Sequence, residues 1–127
     1  MLLSTDWGKN YGFPSKFDQG IFACQRTFDL KPFPISWLQP ILLLTSEQVL
    51  RNSPVFLKPV YTPNVIVAVG ANESHEFQRQ SKNYTIFLQK HGVPAEYLSM
   101  PGKNHFNIIH DFLGDGGPLC KKIIEWK

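Results

Sequence analysis

The composition of the chain is that of one ordinary folded domain. It has 127 residues, of which 43% are hydrophobic and 18% are charged, and this is enough to form a modest core. The net charge is only +3, with thirteen Lys and Arg residues scattered among ten acidic ones. Because no basic stripe stands out, nucleic acid is not expected as a partner. We therefore predict a single domain over residues 1–127.

The apolar segments are too short for a membrane protein. The longest of them, 41–44 and 65–69, fall far below the roughly 18 residues that a membrane-spanning helix needs. The first residues, MLLSTDW, lack the basic start and small-residue cleavage site of a signal peptide. We therefore expect a cytoplasmic protein without a membrane partner. Cys24 and Cys120 show no short spacing, which favours free thiols over a disulfide.

The first half of the chain predicts one short strand and one short helix. Residues 19–24 (QGIFAC) are typical of a short buried strand. Thr45 and Gln48 have the spacing of a capping box, so a helix should begin there and run through Leu50. Pro54 should end that helix soon afterwards. Turn-forming residues introduce the strand: Gly12, Pro14 and Gly20.

The second half predicts alternating strands and helices. Residues 65–69 (VIVAV) are typical of a central strand that is covered on both faces, and residues 95–100 (AEYLSM) predict another strand. Between them Ser74 is the expected N-cap of a helix that stops near Gly92, and Pro118 should open a last helix. This order predicts the α/β class, with a parallel sheet and a right-handed crossover. The apolar faces should comprise Phe77, Tyr84, Phe87 and Leu88 in the middle helix, and Leu119, Ile123, Ile124 and Trp126 in the last.

Two residues after successive strands have the chemistry of a catalytic acid and base. Glu73 follows the first strand of this pair and His105 follows the second. In parallel sheets, functional side chains collect in loops at the carboxyl ends of the strands. A carboxylate bonded to one imidazole nitrogen fixes the tautomer of a histidine, which can then exchange protons at neutral pH. The alternative is that Glu73 is merely solvated and that His105 is an ordinary surface residue.

The matching nucleophile is absent from the sequence. No Gly-x-Ser-x-Gly elbow and no His-Gly-Gly segment occurs among the 127 residues. Residues 67–77 (VAVGANESHEF), with Arg79-Gln80-Ser81, and residues 101–109 (PGKNHFNII) nevertheless resemble the C-terminal part of the kynurenine formamidases, or arylformamidases. Three shorter segments support this resemblance: LSTDW at 3–7, FDL at 28–30 and RNSP at 51–54.

The resemblance implies an α/β-hydrolase fold, of which this chain would be the C-terminal half. It implies hydrolysis of N-formylkynurenine to kynurenine and formate in tryptophan breakdown, through a serine ester and without a cofactor. His105 carries over as the general base and Glu73 as its acid partner. The expected partner is a small-molecule substrate, either N-formylkynurenine-like or an aryl ester. The chain departs from the family where Glu73 replaces aspartate, His75 replaces proline, and Gln25 with Arg26 replaces a Ser-Gly pair.

Without a nucleophile the isolated chain is expected to be inactive. We interpret it as a fragment or incomplete half of a formamidase-like serine hydrolase. Residues 20–24 carry no polar substitution along a strand edge that half a sheet would expose, so self-association or pairing through that edge is expected. One alternative is a genuine short product that acts as a non-catalytic binding or regulatory module. A carboxylesterase-like hydrolase is another.

The other polar and aromatic residues are interpreted as structural. Ser74 is expected to cap a helix rather than act as a nucleophile, and Asp29 to bond a loop. Asp111, Asp115 and the 114–117 glycine cluster predict a turn before the last helix. The remaining histidines show no metal-ligand spacing, and the tryptophans are expected in core or edge packing: His75, His91, His110, and Trp7, Trp37, Trp126.

Overall fold

The computed structural model describes residues 2–4, 6, 9–10, 20–113 and 116–125 of the chain. Three strands and four helices are defined there: β1 Ile21–Cys24, α1 Gln39–Leu42, α2 Ser46–Asn52, β2 Val65–Gly70, α3 His75–Lys90, β3 Ala95–Met100 and α4 Pro118–Ile124. Short 3-10 turns comprise Leu2–Ser4, Phe33–Ile35, Pro54–Phe56 and Ile108–Phe112. The expectations for Gly12, Pro14, Trp7, Gly114, Asp115 and Trp126 fall outside the described residues.

The strands form one parallel sheet in the order β1-β2-β3. Ile21 pairs with Val65 at the start of the first ladder, and Val65 pairs with Ala95 at the start of the second. All three strands therefore end at the same edge of the sheet. The predicted α/β class is confirmed, with helices packed against a short parallel sheet.

The core is built on both faces of β2, as the continuous apolar run predicts. Every residue of β2 is buried. Side chains alternate between the faces of a strand, so β2 contributes residues to two hydrophobic clusters, one on each face of the sheet. Val65 and Val67 pack with Tyr84 and Leu88 of α3. On the other face, Ile66 and Ala68 pack with three residues from the segments that follow α3: Met100, Ile108 and Leu119.

The strand β1 is less buried than the sequence predicts. Its four residues are all half-buried, whereas a buried strand was expected. The reason is its position, because β1 is the edge strand and pairs only with β2 in the described sheet. An edge strand has a neighbour on one side only, so its backbone and side chains keep partial contact with solvent.

The helix caps follow the predicted chemistry. In α2, the Thr45 N–H donates to Gln48 Oε1 at 2.9 Å and the Gln48 N–H donates to Thr45 Oγ1 at 3.2 Å, which is the reciprocal capping box. The helix runs to Asn52, slightly beyond the predicted end. In α3, Ser74 is the N-cap. Gly92, with φ of 77°, follows the C-terminal end of α3 in the left-handed conformation that glycine favours.

The segment before α2 exposes much of its apolar surface. Ile35 is 91% exposed and Trp37 is 80% exposed, so the expected core or edge packing of Trp37 is wrong. Ile41 and Leu43 in and after α1 are also largely exposed. The cause is local, because α1 has only four residues and one turn of helix cannot turn all of its apolar side chains towards a core.

The described helices are all too short or too polar to cross a membrane. The longest, α3, carries buried Tyr84 and Leu88 on the face towards the sheet, while Phe77 and Phe87 are half-buried. In α4, Leu119 is buried and Ile123 is half-buried, but Ile124 is 71% exposed. The apolar face predicted for the last helix is therefore only partly covered.

Candidate active site

Two loops meet at the carboxyl edge of the sheet. The acid loop, residues 71–74, follows β2, and the histidine loop, residues 101–107, follows β3. The Asn72 N–H donates to the Lys103 carbonyl at 2.9 Å, and the Ala71 N–H donates to the Met100 carbonyl at the same distance. Backbone hydrogen bonds therefore hold the two loops in fixed register before any side chain is considered.

Gly70 permits this close approach of the two loops. A Cβ atom at position 70 would lie 2.4 Å from the Lys103 carbonyl oxygen and 2.7 Å from its carbonyl carbon. Both distances are below van der Waals contact, and the opposing atoms belong to backbone that cannot move aside as a side chain can. The glycine at the end of β2 is thus required by geometry, since only a residue without a side chain fits there.

The acid loop presents a nearly buried carboxylate to the histidine loop. The Glu73 side chain is only 10% exposed, and its Oε2 lies 3.0 Å from Nδ1 of His105. The other oxygen, Oε1, accepts from the Ser74 N–H at 2.9 Å. The Glu73 backbone is held as well, because Gln78 Nε2 donates to its carbonyl at 2.7 Å. The structure therefore brings the two predicted site residues into direct contact.

This contact favours one tautomer of the His105 imidazole. A carboxylate can only accept hydrogen bonds, so the 3.0 Å contact favours the tautomer in which Nδ1 of His105 carries the proton and donates to Glu73. In the neutral ring, Nε2 then has the free lone pair, and no described residue bonds to it. The rings of Phe77 and Phe106 pack against the imidazole with centroids 5.3 and 5.6 Å away. The histidine can exchange protons at Nε2, but its catalytic role stays a prediction.

The backbone of the histidine loop is locked by two asparagines. Asn104 Oδ1 accepts from the N–H groups of Phe106 and Asn107, at 2.9 and 3.0 Å. In return, Asn107 Oδ1 accepts from the Asn104 N–H at 2.6 Å. This reciprocal pair encloses His105, which lies between the two asparagines. Neither asparagine was singled out from the sequence, although short Asn side chains commonly bond to nearby backbone in loops.

An ion pair between Lys103 and Asp111 stabilises the histidine loop. Lys103 Nζ lies 2.7 Å from Oδ1 of Asp111, whose side chain is only 3% exposed. Its other oxygen accepts from the Leu119 N–H at 3.0 Å, which ties the loop to the start of α4. The hydrogen bond from Lys103 and then that from Leu119 hold the pKa of Asp111 below its ordinary value. Asp111 lies in the 3-10 turn Ile108–Phe112 and so is more than the simple turn residue that the sequence indicates.

A cavity of about 300 Å³ is lined by Ser74, which follows Glu73, and by Phe77, but not by Glu73 or His105 themselves. Five of its ten lining residues are aromatic or aliphatic, and Phe77 forms part of both this cavity and the surroundings of His105. Trp37 lines it too, although core or edge packing was expected of this residue. The missed signal was the clustering of aromatic residues within 33–37. The other lining residues are Thr27, Pro32, Phe33, Ser36, Leu38, Glu76 and Gln80.

The residues interpreted as structural have local partners. Ser74 Oγ accepts from the Phe77 N–H at 3.5 Å, in keeping with a cap. Asp29 Oδ1 accepts from the Lys31 N–H at 2.9 Å, which confirms its loop-bonding role. Gln80 was not predicted: its buried amide accepts from Phe28 N–H at 2.9 Å and joins α3 to that loop. Cys24 and Cys120 are free thiols. Across the part of the chain that the structure describes, no three His, Cys, Asp or Glu side chains converge as a metal ion requires.

The sequence comparisons identify relatives with a stated activity. A kynurenine formamidase from Danio rerio is 32% identical over 130 residues, and one from Salmo salar is 34% identical over 131 residues. Each alignment covers 98% of this chain but 44% of the relative, so the chain spans about half the length of the curated proteins it matches. No protein-family model matches the chain. The resemblance to kynurenine formamidases is therefore confirmed.

The structural comparison supports the fold independently of the sequence. The crystal structure of a candidate thioesterase from Silicibacter sp. TM1040 superimposes with a TM-score of 0.69 and 23% identity. The match covers 84% of this chain and 38% of that protein. At this identity the likeness concerns the fold alone, an α/β arrangement with a parallel sheet.

Proposed function

We propose that this chain, as a homologue of the kynurenine formamidases, supplies the acid and base of a formamidase-like serine hydrolase. The observation that carries this proposal is the 3.0 Å contact between Nδ1 of His105 and Oε2 of Glu73 at the ends of two neighbouring strands. The homology supplies the reaction class, since both curated relatives are named for this activity. The geometry supports a pair that moves protons at Nε2 of His105.

The proposed reaction has two stages. Nε2 of His105 accepts the proton of a serine hydroxyl as its oxygen attacks the formyl carbon of N-formylkynurenine, and Glu73 stabilises the imidazolium that forms. The imidazolium returns the proton to the leaving arylamine, which frees kynurenine and leaves a formyl ester. His105 then takes a proton from water, which attacks the formyl ester, and the imidazolium returns that proton to the serine oxygen as the ester bond breaks and formate leaves. No cofactor enters either stage, and the reaction belongs to tryptophan breakdown.

The serine would come from outside these residues. The chain has no Gly-x-Ser-x-Gly or His-Gly-Gly segment, and Ser74 is engaged as a helix cap. We therefore propose that the chain alone does not turn over N-formylkynurenine or aryl esters. A nucleophile and an oxyanion hole from another segment are needed to complete the site.

The cavity that Phe77 borders supports an aryl substrate. Its volume of about 300 Å³ is twice that of the roughly 150 Å³ apolar cavity known to bind benzene, so a substituted aromatic ring fits. Phe77 borders both the cavity and the imidazole, and its ring centroid lies 5.3 Å from that of His105, so a ring in the cavity would contact a residue that packs on the histidine. N-formylkynurenine-like compounds and aryl esters both have this shape.

A chimera tests the proposal directly. This chain would replace the matching 130-residue segment of the Danio rerio enzyme, and formate release from N-formylkynurenine would be measured. We expect turnover that falls by at least about a thousandfold in both His105→Ala and Glu73→Ala, in line with the loss of a triad member. The isolated chain should show none, and His105→Ala should change nothing there. A folded but inactive chimera, or turnover by the isolated chain that needs His105, would contradict the proposal.

We also propose that the chain pairs through the edge of β1. Its half-buried residues Ile21, Phe22 and Ala23 are apolar, and in the described sheet only β2 lies beside them. Such an edge is a template for pairing with another chain, either a second copy or another hydrolase chain. Sedimentation velocity over a hundredfold concentration range should show concentration-dependent association. A monomer at every concentration would exclude pairing between identical chains.

A further inference from the structure

We infer that Gln25 is a positioning residue for His105, an inference that rests on the proposed function of the Glu73–His105 pair. Gln25 follows β1, so it lies at the same edge of the sheet as the acid and histidine loops. It is also one of the positions at which the sequence departs from the resembling family. The assignment rests on a long-range hydrogen bond and on an unusual backbone conformation.

The hydrogen bond joins Gln25 to the residue just before the histidine. Gln25 Nε2 donates to the Asn104 carbonyl at 2.9 Å, across 79 positions of sequence, in a partly buried location. The same carbonyl also accepts from the Ile108 N–H at 3.2 Å. Because the Asn104 carbonyl belongs to the peptide group shared with His105, anchoring it limits rotation of the backbone that carries the imidazole.

The backbone at Gln25 is held in a conformation that glutamine rarely adopts. Its φ is 46°, in the left-handed region, where a side chain is disfavoured. Such strain persists only where surrounding contacts over-determine it, and it concentrates at functional sites. Here the Gln25 N–H donates to the Ala68 carbonyl at 3.0 Å, so the main chain stays paired with β2 while the side chain reaches the histidine loop. A glycine would remove the strain, but it would also remove the amide.

The three strand ends therefore act together on one imidazole. Glu73, after β2, binds the ring at Nδ1, while Gln25, after β1, holds the peptide group before it. Lys103, in the loop after β3, fixes the same loop through its ion pair with Asp111. Among these supports, Gln25 is the one that bonds directly to the backbone next to His105 without being part of either loop.

The test compares two substitutions that separate strain from hydrogen bonding. Gln25→Gly removes the amide and relieves the left-handed strain, whereas Gln25→Glu keeps the shape but replaces the donor with an acceptor that repels the Asn104 carbonyl. The readout is the tautomer of neutral His105, measured in the whole chain by two-bond ¹H–¹⁵N NMR at high pH. Circular dichroism and thermal unfolding establish that each variant is folded.

We expect the wild-type ring to favour the Nδ1–H tautomer that Glu73 accepts. In both variants the ratio of Nδ1–H to Nε2–H should fall by roughly twofold to tenfold, the change that one neutral hydrogen bond produces. Gln25→Gly should not lower the melting temperature, because strain is relieved, so the tautomer change would occur without loss of stability. Gln89→Glu is the matched control, since Gln89 Nε2 donates to the Ala95 carbonyl at 2.8 Å, at the opposite end of β3.

The possible failures are distinguishable. An unchanged ratio in folded Gln25→Gly and Gln25→Glu would overturn the positioning role while leaving the acid–base pair intact. A change of equal size in Gln89→Glu would overturn it too, because the effect would then not be specific to this edge of the sheet. A wild-type ring without preference for Nδ1–H would overturn the Glu73–His105 pair itself and with it the proposed function.

Discussion

Two apolar runs of similar length in this chain differ in burial: one is buried and the other is exposed. In β2, Val65 to Val69 are at most 1% exposed. In the other run, around α1, Ile41 and Leu43 are 73% and 72% exposed. Hydrophobic content does not separate the two, since both consist of aliphatic side chains. The difference teaches that burial depends on neighbours, because β2 has a strand on each side and cover on both faces, whereas α1 is a single turn.

The same contrast in burial divides the two parts of the candidate site. The acid and histidine loops follow β2 and β3 and are joined by backbone hydrogen bonds, so the Glu73–His105 contact rests on paired backbone. The segment with Trp37 contributes one wall of the cavity but is itself largely exposed. The proposed function needs close geometry at the Glu73–His105 pair, because proton transfer tolerates little misplacement.

The largest expected effect comes from truncating one residue in each run. Ile66→Ala should lower the free energy of unfolding by about 2–5 kcal/mol, because Ile66 is fully buried and the substitution leaves a cavity. Ile41→Ala, in the exposed run, should change it by less than about 0.5 kcal/mol. Urea unfolding of both variants gives the two values. Equal effects would mean that α1 is packed in solution, and the comparison between the runs would fail.

A smaller effect is expected at the carboxyl end of β2. Gly70→Ala should destabilise the chain by about 3 kcal/mol, since the new Cβ would push against the Lys103 backbone. The ¹⁵N signature of His105 should also change, because the two loops must move apart. The control is Gly92→Ala, because φ is 77° there and the new Cβ atom would have open space, with no contact within 4 Å of it beyond its chain neighbours. It should cost about 1 kcal/mol through strain and leave His105 unchanged. A Gly70→Ala variant as stable as the wild type would contradict the close approach.

The smallest expected effect concerns the buried ion pair and is pH-dependent. Asp111→Asn should lower the unfolding free energy by about 1–3 kcal/mol at pH 7, because Lys103 loses its charged partner. The folded-state pKa of Asp111 lies below its ordinary value of 3.8, so the unfolded chain takes up the proton first as pH falls. The contribution is therefore present above about pH 4 and is lost as the pH drops through the folded-state pKa.

The measurement is urea unfolding of wild type and variant at several pH values between 7 and 2.5. Their stability difference should be constant down to about pH 4 and should shrink below it. Glu96→Gln is the control, because the Glu96–Lys122 pair is exposed and such pairs contribute little. A difference between wild type and Asp111→Asn that grows on acidification would contradict the lowered pKa.

Much of the fold could be predicted because its signals are local. The apolar run of β2, the bounds of β3 and the capping box at Thr45 and Gln48 all depend on residues within a few positions of each other. Glu73 and His105 could be chosen as a pair because parallel strands end at one edge of a sheet. For β1, composition and position pointed in different directions: its apolar residues predict a buried strand, but its expected place at an open edge, which the sheet order confirms, leaves it half-buried.

The residues that surround the candidate acid and base could not be assigned their roles from the sequence. Their contacts, too, join residues that are far apart in the chain. Gln25 looks like a departure from a family pattern until its amide is seen on the Asn104 carbonyl. Asp111 looks like a turn residue until Lys103 is seen beside it. Trp37 looks like a core residue, yet it forms an exposed wall of a cavity.

By itself, then, the sequence determined the strands and helices of the second half, the α/β class and the identities of the candidate acid and base. Each follows from short-range periodicity, capping chemistry or motif spacing. Only the tertiary structure decided that Nδ1 of His105 meets Glu73, that Gln25 anchors the histidine loop, and that Val65 to Val69 are buried while Ile41 is not. Those outcomes depend on contacts between residues far apart in the chain, whose energies are settled only when the sheet has assembled.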